Sequence, residues 1–459
     1  VIDIDGGRLT LAEITEASLG SASVRVTDAA MAGAVASHGY AQQVATERPI
    51  YGLSTGVGAN RTVALTDPDA HALDLLRSHA ASAGPLRAPE RVRATLVIRL
   101  NQLAAGTSGI EPAILTGLAD MINRDALPAI RELGSIGTGD LSALAVTALA
   151  LNETVPFRRG SALPFLSSNA ATIADAALAL SGLRSLARST MVVAATVFEG
   201  VNGNAEAFSP AVERATPFEG ARDVCRTVRA LVAQTDEPAR IQDPFGLRVL
   251  PQVHGALLDA LDQLEAVVVT MANTGSENPQ LSPDLGVAHH GGFYAAHLAQ
   301  TLDLVTLATA QTAQLSLARL GMLQEPALTG LDPFLGDGKP GASGTMIIEY
   351  VAASALGELR TLAMPASLQS ATLSRGVEEE ASFASLAARQ ALDSVRHFRT
   401  ILAAELLAAV RCARQQDPRT GPSQVLDLCG ALPDEMADRD LTSDLEIAES
   451  LVAELSALA

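Results

Sequence analysis

The chain has 459 residues, 48% hydrophobic and 18% charged, with a mean hydropathy of +0.24. So little charge, against about 25% in an average soluble domain, on a chain long enough for about three domains or one large fold, excludes global disorder. With 32 Lys plus Arg against 51 Asp plus Glu the net charge is −19, and with 3% aromatics and no Trp neither nucleic acid nor an anionic membrane surface suits it as a partner.

The start, Val1-Ile2-Asp3-Ile4-Asp5-Gly6-Gly7, has no basic and apolar leader pattern, and the apolar stretch 141–151 is too short to span a bilayer. No apolar run of about 18 residues is read, so a cytoplasmic protein without membrane insertion is expected. Long segments rich in Ala and Leu predict helices over 172–181, 183–199, 257–273, 293–320 and 380–416. Gly- and Pro-rich connections separate them at 203–220, 274–292, 325–344 and 417–435. The fold class expected is mainly α: a long central helical bundle with a smaller, loop-rich N-terminal part. A soft boundary is placed between 1–190, carrying the first glycine loops, and 191–459, carrying the long helices. Helices so poor in charge are expected to be covered on several sides, by other subunits among them.

Chemistry-bearing residues are sparse. Cys225, Cys412 and Cys429 are odd in number and widely spaced, which reads as buried reduced thiols. Lys339 is the sole lysine and lies in a Gly338-Lys339-Pro340 turn, a solvated charge rather than a Schiff-base nucleophile. No His/Cys spacing suits a metal, and no GxSxG elbow occurs. Tyr51 heads the glycine loop Tyr51-Gly52-Leu53-Ser54-Thr55-Gly56-Val57-Gly58, where a hydroxyl can serve as a base if its neighbours lower its pKa. Gly134-Ser135-Ile136-Gly137-Thr138-Gly139-Asp140 precedes the apolar stretch, with Asp140 placed to cap it. In Arg240-Ile241-Gln242-Asp243-Pro244-Phe245-Gly246-Leu247-Arg248, Arg248 suits either a ligand carboxylate or an ion pair with Asp243. Glu378-Glu379-Glu380 reads as an acidic first turn of the helix that follows.

In this order the segments resemble the aromatic amino acid ammonia-lyase superfamily, its histidine-type branch most closely. Tyr51 to Gly58 is similar to Y-G-x-N-T-G-x-G, with Ser54 where Asn is usual. Ser78-His79-Ala80-Ala81 is similar to S-H-A-x, and Gly134 to Leu144 to G-S-V-G-A-S-G-D-L-A-P-L. Asn169 falls on the Asn of A-L-x-N-G-T. Arg240 to Arg248 is similar to R-x-Q-D-P-Y-S-L-R, Ser276-Glu277-Asn278-Pro279 to S-D-N-P, and Val377-Glu378-Glu379 to Q-E-D. The likeness runs from Leu9 to about Ala409.

The resemblance implies a histidine/phenylalanine ammonia-lyase-like helical homotetramer with active sites shared between subunits, acting on a small imidazole or aromatic amino acid-like substrate. It makes Tyr51 the base at the substrate β-carbon and Glu378 a second catalytic group facing, with His79, the imidazole. Arg248 would hold the carboxylate, and Asn169, Gln242 and Asn278 would line the site. The family's electrophile, 4-methylideneimidazol-5-one (MIO), forms from an Ala-Ser-Gly triplet. Here Gly137-Thr138-Gly139 stands at that position, one residue shorter and without serine, and Phe245 replaces the usual tyrosine. Ala342-Ser343-Gly344 aligns instead with the family's N-S-G-F-M segment. No cofactor and no metal are therefore expected. The reading that follows is C–N elimination without MIO from a histidine-like substrate, an N-methylated betaine in the manner of ergothionase-like trimethylammonia-lyases. The alternatives are an ammonia-lyase or aminomutase with a Thr-derived electrophile, and a binding protein that keeps the pocket.

Overall fold

The computed structural model describes residues 1–232, 237–416 and 422–459. The first five residues of the expected connection 417–435 lie outside them. Helices dominate the described residues, and strands are confined to three two-stranded pairs. The mainly α fold expected from composition is what forms.

The chain divides into two compact units. The first comprises Val1–Ala179, Leu264–Leu302 and Pro365–Arg389. Its strand pairs are Ile2–Ile4 with Val24–Val26 (parallel), Ala83–Leu86 with Arg131–Leu133, and the hairpin Gln280–Ser282 with Gly286–Ala288 (both antiparallel). Each strand has only three or four residues, because the flanking sequence offers helix formers rather than β-branched alternation. The helix Pro89–Ala104 crosses this unit, and every residue from Ala94 to Ala104 is buried. Its Arg99 is fully buried and pairs with the equally buried Glu277 at 2.9 Å, which ties the helix to the 276–279 segment.

The second unit comprises Leu180–Gln263, Asp303–Met364 and Gln390–Ala459. Leu250–Ala272, Ala296–Leu323 and Ala384–Gln415 match the predicted helices to within a few residues, except where Leu250–Ala272 starts earlier. The two helices expected over 172–181 and 183–199 are one, Ala170–Gly200. Gly182 does not break it: a Cβ there would meet Val395 Cγ1 at 2.9 Å, so the glycine permits close helix packing. Ala162–Gly200 is also long and apolar enough to cross a membrane, which the sequence reading missed. Its most apolar window is 94% buried within the protein, as suits a core helix. Cys225, Cys412 and Cys429 are buried free thiols, and Lys339 pairs with Asp337 on the surface.

Two local expectations change. Asp140 does not cap the helix Leu141–Asn152 with its side chain. Its carboxylate accepts from the Thr172 N–H at 2.7 Å and the Thr172 hydroxyl at 2.8 Å, so it caps the first turn of Ala170–Gly200 instead. Glu378-Glu379-Glu380 is not a first turn either, since the helix begins at Ala384. Leu373 pairs with Glu378 across a tight turn, and Phe383 has φ +51°, which interrupts the helix before the acidic run.

Candidate active site

In the first unit the Tyr51 loop is folded on its own glycines. The Tyr51 oxygen accepts the Gly58 N–H at 2.7 Å. Gly58 has φ +55°, and a Cβ there would lie 2.8 Å from Ser374 Oγ and 3.8 Å from Glu378 Oε1. The next N–H, of Ala59, donates to Ser374 Oγ at 3.1 Å. The loop and the 373–378 turn therefore meet, and Tyr51 and Glu378 come into one neighbourhood. The Tyr51 backbone N–H donates to His289 Nε2 at 3.3 Å. Ser54, the departure from the family loop, accepts the Ile50 N–H at 2.8 Å and so closes the turn before the tyrosine.

Half-burial pushes the Tyr51 hydroxyl above the ordinary phenol range, and the Glu378 charge adds to this; the Gly58 N–H and Arg61 oppose it. The lowered pKa that a resting base would need is absent in the isolated chain. Two contacts nonetheless favour the phenolate, and the nearby carboxylate disfavours it.

The Gly137–Gly139 loop is held from two sides. Gly139 N–H donates to Asn169 Oδ1 at 3.1 Å, and Asn169 Nδ2 donates to the Phe293 carbonyl. The Gly137 carbonyl accepts from Ser382 Oγ at 2.7 Å, and the Ile136 carbonyl from the Phe383 N–H at 2.8 Å. Asn169 is buried, and its side chain is bonded to the loop. Ser382 and Phe293 escaped the sequence reading, because neither belongs to a motif and both act through backbone partners.

Asn278 accepts the His290 N–H at 3.0 Å through Oδ1. His290 Nδ1 accepts the Gly292 N–H at 2.9 Å, so Nε2 carries the proton donated to the Glu277 carbonyl at 2.7 Å. His79 ends the helix Pro68–His79, and its Nδ1 lies 2.9 Å from the Leu75 carbonyl and 3.0 Å from Ser78 Oγ. Its hydrogen bonds are thus local, and none runs to Tyr51 or Glu378 among the described residues.

Gln242 and Arg248 belong to the second unit. The ion pair of Arg248 with Asp243 does not form. Asp243 instead pairs with Arg240 at 2.9 Å and accepts the Asn204 N–H at 2.7 Å. Arg248 donates to the Asp243 carbonyl at 3.2 Å, and its guanidinium stacks 4.7 Å from the Phe245 ring centroid. No carboxylate pairs with it among the described residues, which leaves its fork free for an acidic ligand. Gln242 is exposed. No group of three or more His, Cys, Asp or Glu side chains suited to a metal occurs among the described residues.

The family model of the aromatic amino acid lyases matches residues 9–154 and 152–429. A histidine ammonia-lyase from Stigmatella aurantiaca is 30% identical over 490 aligned positions, covering 98% of this chain and 96% of that one. The crystal structure of histidine ammonia-lyase from Trypanosoma cruzi superposes with a TM-score of 0.90 at 25% identity, covering 99% of this chain and 93% of the other. The ergothioneine-degrading ergothionase from Treponema denticola superposes with a TM-score of 0.92 at 24% identity, covering 99% of each, which establishes the shared fold.

Proposed function

The chain belongs to the aromatic amino acid lyase family, and from that premise we propose that it eliminates an amine from a histidine-like betaine without an MIO electrophile. One observation carries this reading: Gly137-Thr138-Gly139 has no serine to become a methylidene, while Tyr51, Asn169, Arg248, Asn278 and Glu378 are kept. The contacts around the loop support it. Ring closure would join the Gly139 nitrogen to the Gly137 carbonyl carbon, and these groups are engaged with Asn169 and Ser382 respectively. The residues present do not fit the group, so no step is routed through it.

The remaining chemistry follows from the leaving group. An ordinary α-ammonium leaves poorly, and a general base alone supplies roughly 10²–10⁴-fold. A trimethylammonium needs no covalent activation. Tyr51, as phenolate, takes the β-proton; the C–H pair becomes the C=C bond, and the Cα–N pair departs with nitrogen as neutral trimethylamine. Arg248 holds the carboxylate. Glu378 and His79 face the imidazole, with Asn169, Gln242 and Asn278 lining the site.

As the family resemblance implies, we assign the complete site to a cytoplasmic homotetramer whose subunits share their active sites. Leu304, Leu307, Ile347 and Tyr350 are exposed on Ala296–Leu323 and Met346–Leu362, which suits burial against another copy. Arg360 donates to Gln314 between these helices, so the four residues sit on adjoining elements.

Intact mass and amine release together test the reading. The expected result is an unmodified mass with trimethylamine released from an imidazole betaine, and loss of turnover with retained ligand affinity in Tyr51→Phe. A deficit of two waters, with ammonia released from the free amino acid, would overturn it in favour of a Thr-derived electrophile. Ligand binding with no amine release from any imidazole amino acid or betaine would instead leave a binding protein.

A further inference from the structure

A small polar cavity lies beside the Gly134–Asp140 loop, wholly within the first unit. Arg87, Arg131 and Arg389 line it, together with Ser142. The strand pair brings the first two arginines together: Leu86 faces Arg131 across it, and the Arg87 N–H donates to the Ile130 carbonyl at 2.8 Å. Arg389 comes from the helix Ala384–Gln415, one turn after Ser385, whose hydroxyl donates to the Ser135 carbonyl at 2.9 Å. Ser142 lies in the first turn of Leu141–Asn152, which has no side-chain cap because Asp140 is spent on Thr172.

The carboxylates around this cavity are taken, and several donors are not. Asp175 accepts from Arg87 and from Arg91, the latter at 2.8 and 2.9 Å, and Glu132 accepts from Arg91 at 3.0 Å. Both Asp140 oxygens accept from Thr172. Arg87 is nearly buried, with 8% of its side chain exposed, yet its Nε–H has no partner among the described residues. Arg131 spends one nitrogen on the Gly84 carbonyl at 2.8 Å, and no carboxylate pairs with it or with Arg389 among the described residues. With Arg91 included, four guanidinium groups stand against three carboxylates, which leaves one positive charge in excess. The uncapped helix start adds to that field. We infer that the cavity binds one small inorganic anion of halide size, held by Arg87, Arg131, Arg389 and the Ser142 hydroxyl. A water there would find donors but no unpaired carboxylate for its own protons, whereas an anion accepts from all four side chains and cancels the charge. The free volume, about 10 Å³, admits a single water-sized body and excludes a tetrahedral oxyanion. Arg131 is exposed and Arg389 half-buried, so the ion can enter from solvent. Once bound, it joins the helix that carries Arg389 to the strand pair beside the loop, and it is independent of the chemistry at Tyr51.

The test follows chloride binding to the purified full-length chain by the line width of chloride NMR, with sodium chloride replacing sodium gluconate at constant ionic strength. The wild type is expected to give a saturable excess broadening that equimolar sulfate does not remove. Arg389→Gln should weaken the binding roughly tenfold, because it deletes a charged donor. Near-UV circular dichroism and melting establish that the variant is folded. If it is not, Ser142→Ala, which removes one hydroxyl, replaces it with an expected loss of about threefold. Crystals soaked in sodium bromide locate the ion: the anomalous peak should lie in contact with Arg87 Nε, Arg389 and Ser142. Absence of saturable broadening, displacement of chloride by sulfate, wild-type affinity in the folded variant, or bromide peaks only elsewhere on the molecule would each overturn the site.

Discussion

His254 is fully buried, with Nε2 2.9 Å from the Ala187 carbonyl and no partner for Nδ1 among the described residues. Burial holds its pKa down to about 4, and the neighbouring Arg319 charge adds to the effect. The unfolded chain therefore takes up the proton first as pH falls from the ordinary 6.5. Linkage from this ring costs nothing at pH 7 and removes about 2 kcal/mol of stability by pH 5. His254→Gln keeps an amide donor for Ala187 and cannot titrate. Urea midpoints at pH 7 and pH 5 should fall further in the wild type than in the variant, and parallel falls would show that His254 is not the group responsible. Arg248 carries the opposite lesson. Its position in a motif left a ligand and Asp243 equally open as partners, and the backbone decided between them by giving Asp243 to Arg240.

Between the helices Ala296–Leu323 and Ala384–Gln415 lies one wholly buried ion pair, Arg319 with Glu405, at 2.5 and 3.0 Å. Arg319 also donates to the Gly246 carbonyl at 3.1 Å and to Ser316 Oγ at 3.0 Å. Burial pushes the Glu405 carboxyl above its ordinary range against the pull of Arg319. Arg319→Met alone leaves a carboxylate buried without its cation and should cost about 3–5 kcal/mol, read from the urea midpoint. Arg319→Met with Glu405→Leu should recover most of that loss, because the desolvation penalty disappears with both charges. If the double variant is as unstable as the single, the pair contributes structure that apolar packing cannot replace. The same elements mark the limit of propensity. Ala and Leu content located the long helices, but Gly182 looked like a break, because only the nearness of Val395 reveals why it is glycine.

At the scale of the molecule, the exposed Leu304, Leu307, Ile347 and Tyr350 give the proposed tetramer its test. Leu307→Glu places a charge on that face without touching the residues around Tyr51. Light scattering after gel filtration should report a smaller species than the wild type, and amine release should fall with it. An unchanged mass would take this face out of the subunit interface. The net charge of −19 acts at the same scale and favours dispersion of the particles, so the proposed association has to come from the apolar face.

Composition and motif order were enough to determine a helical lyase scaffold, the Tyr51 loop, the Arg248 segment and the missing serine at Gly137–Gly139, because each depends on residue identity along the chain. The tertiary structure decided what depends on distant partners. It gave Asp140 to Thr172 and kept the acidic run out of the helix. It also left His79 in local hydrogen bonds and divided the candidate residues between two units. Hydrophobic periodicity fixes which face of an element is buried, but a carboxylate, an amide or a phenol takes whichever partner the packed backbone brings within about 3 Å.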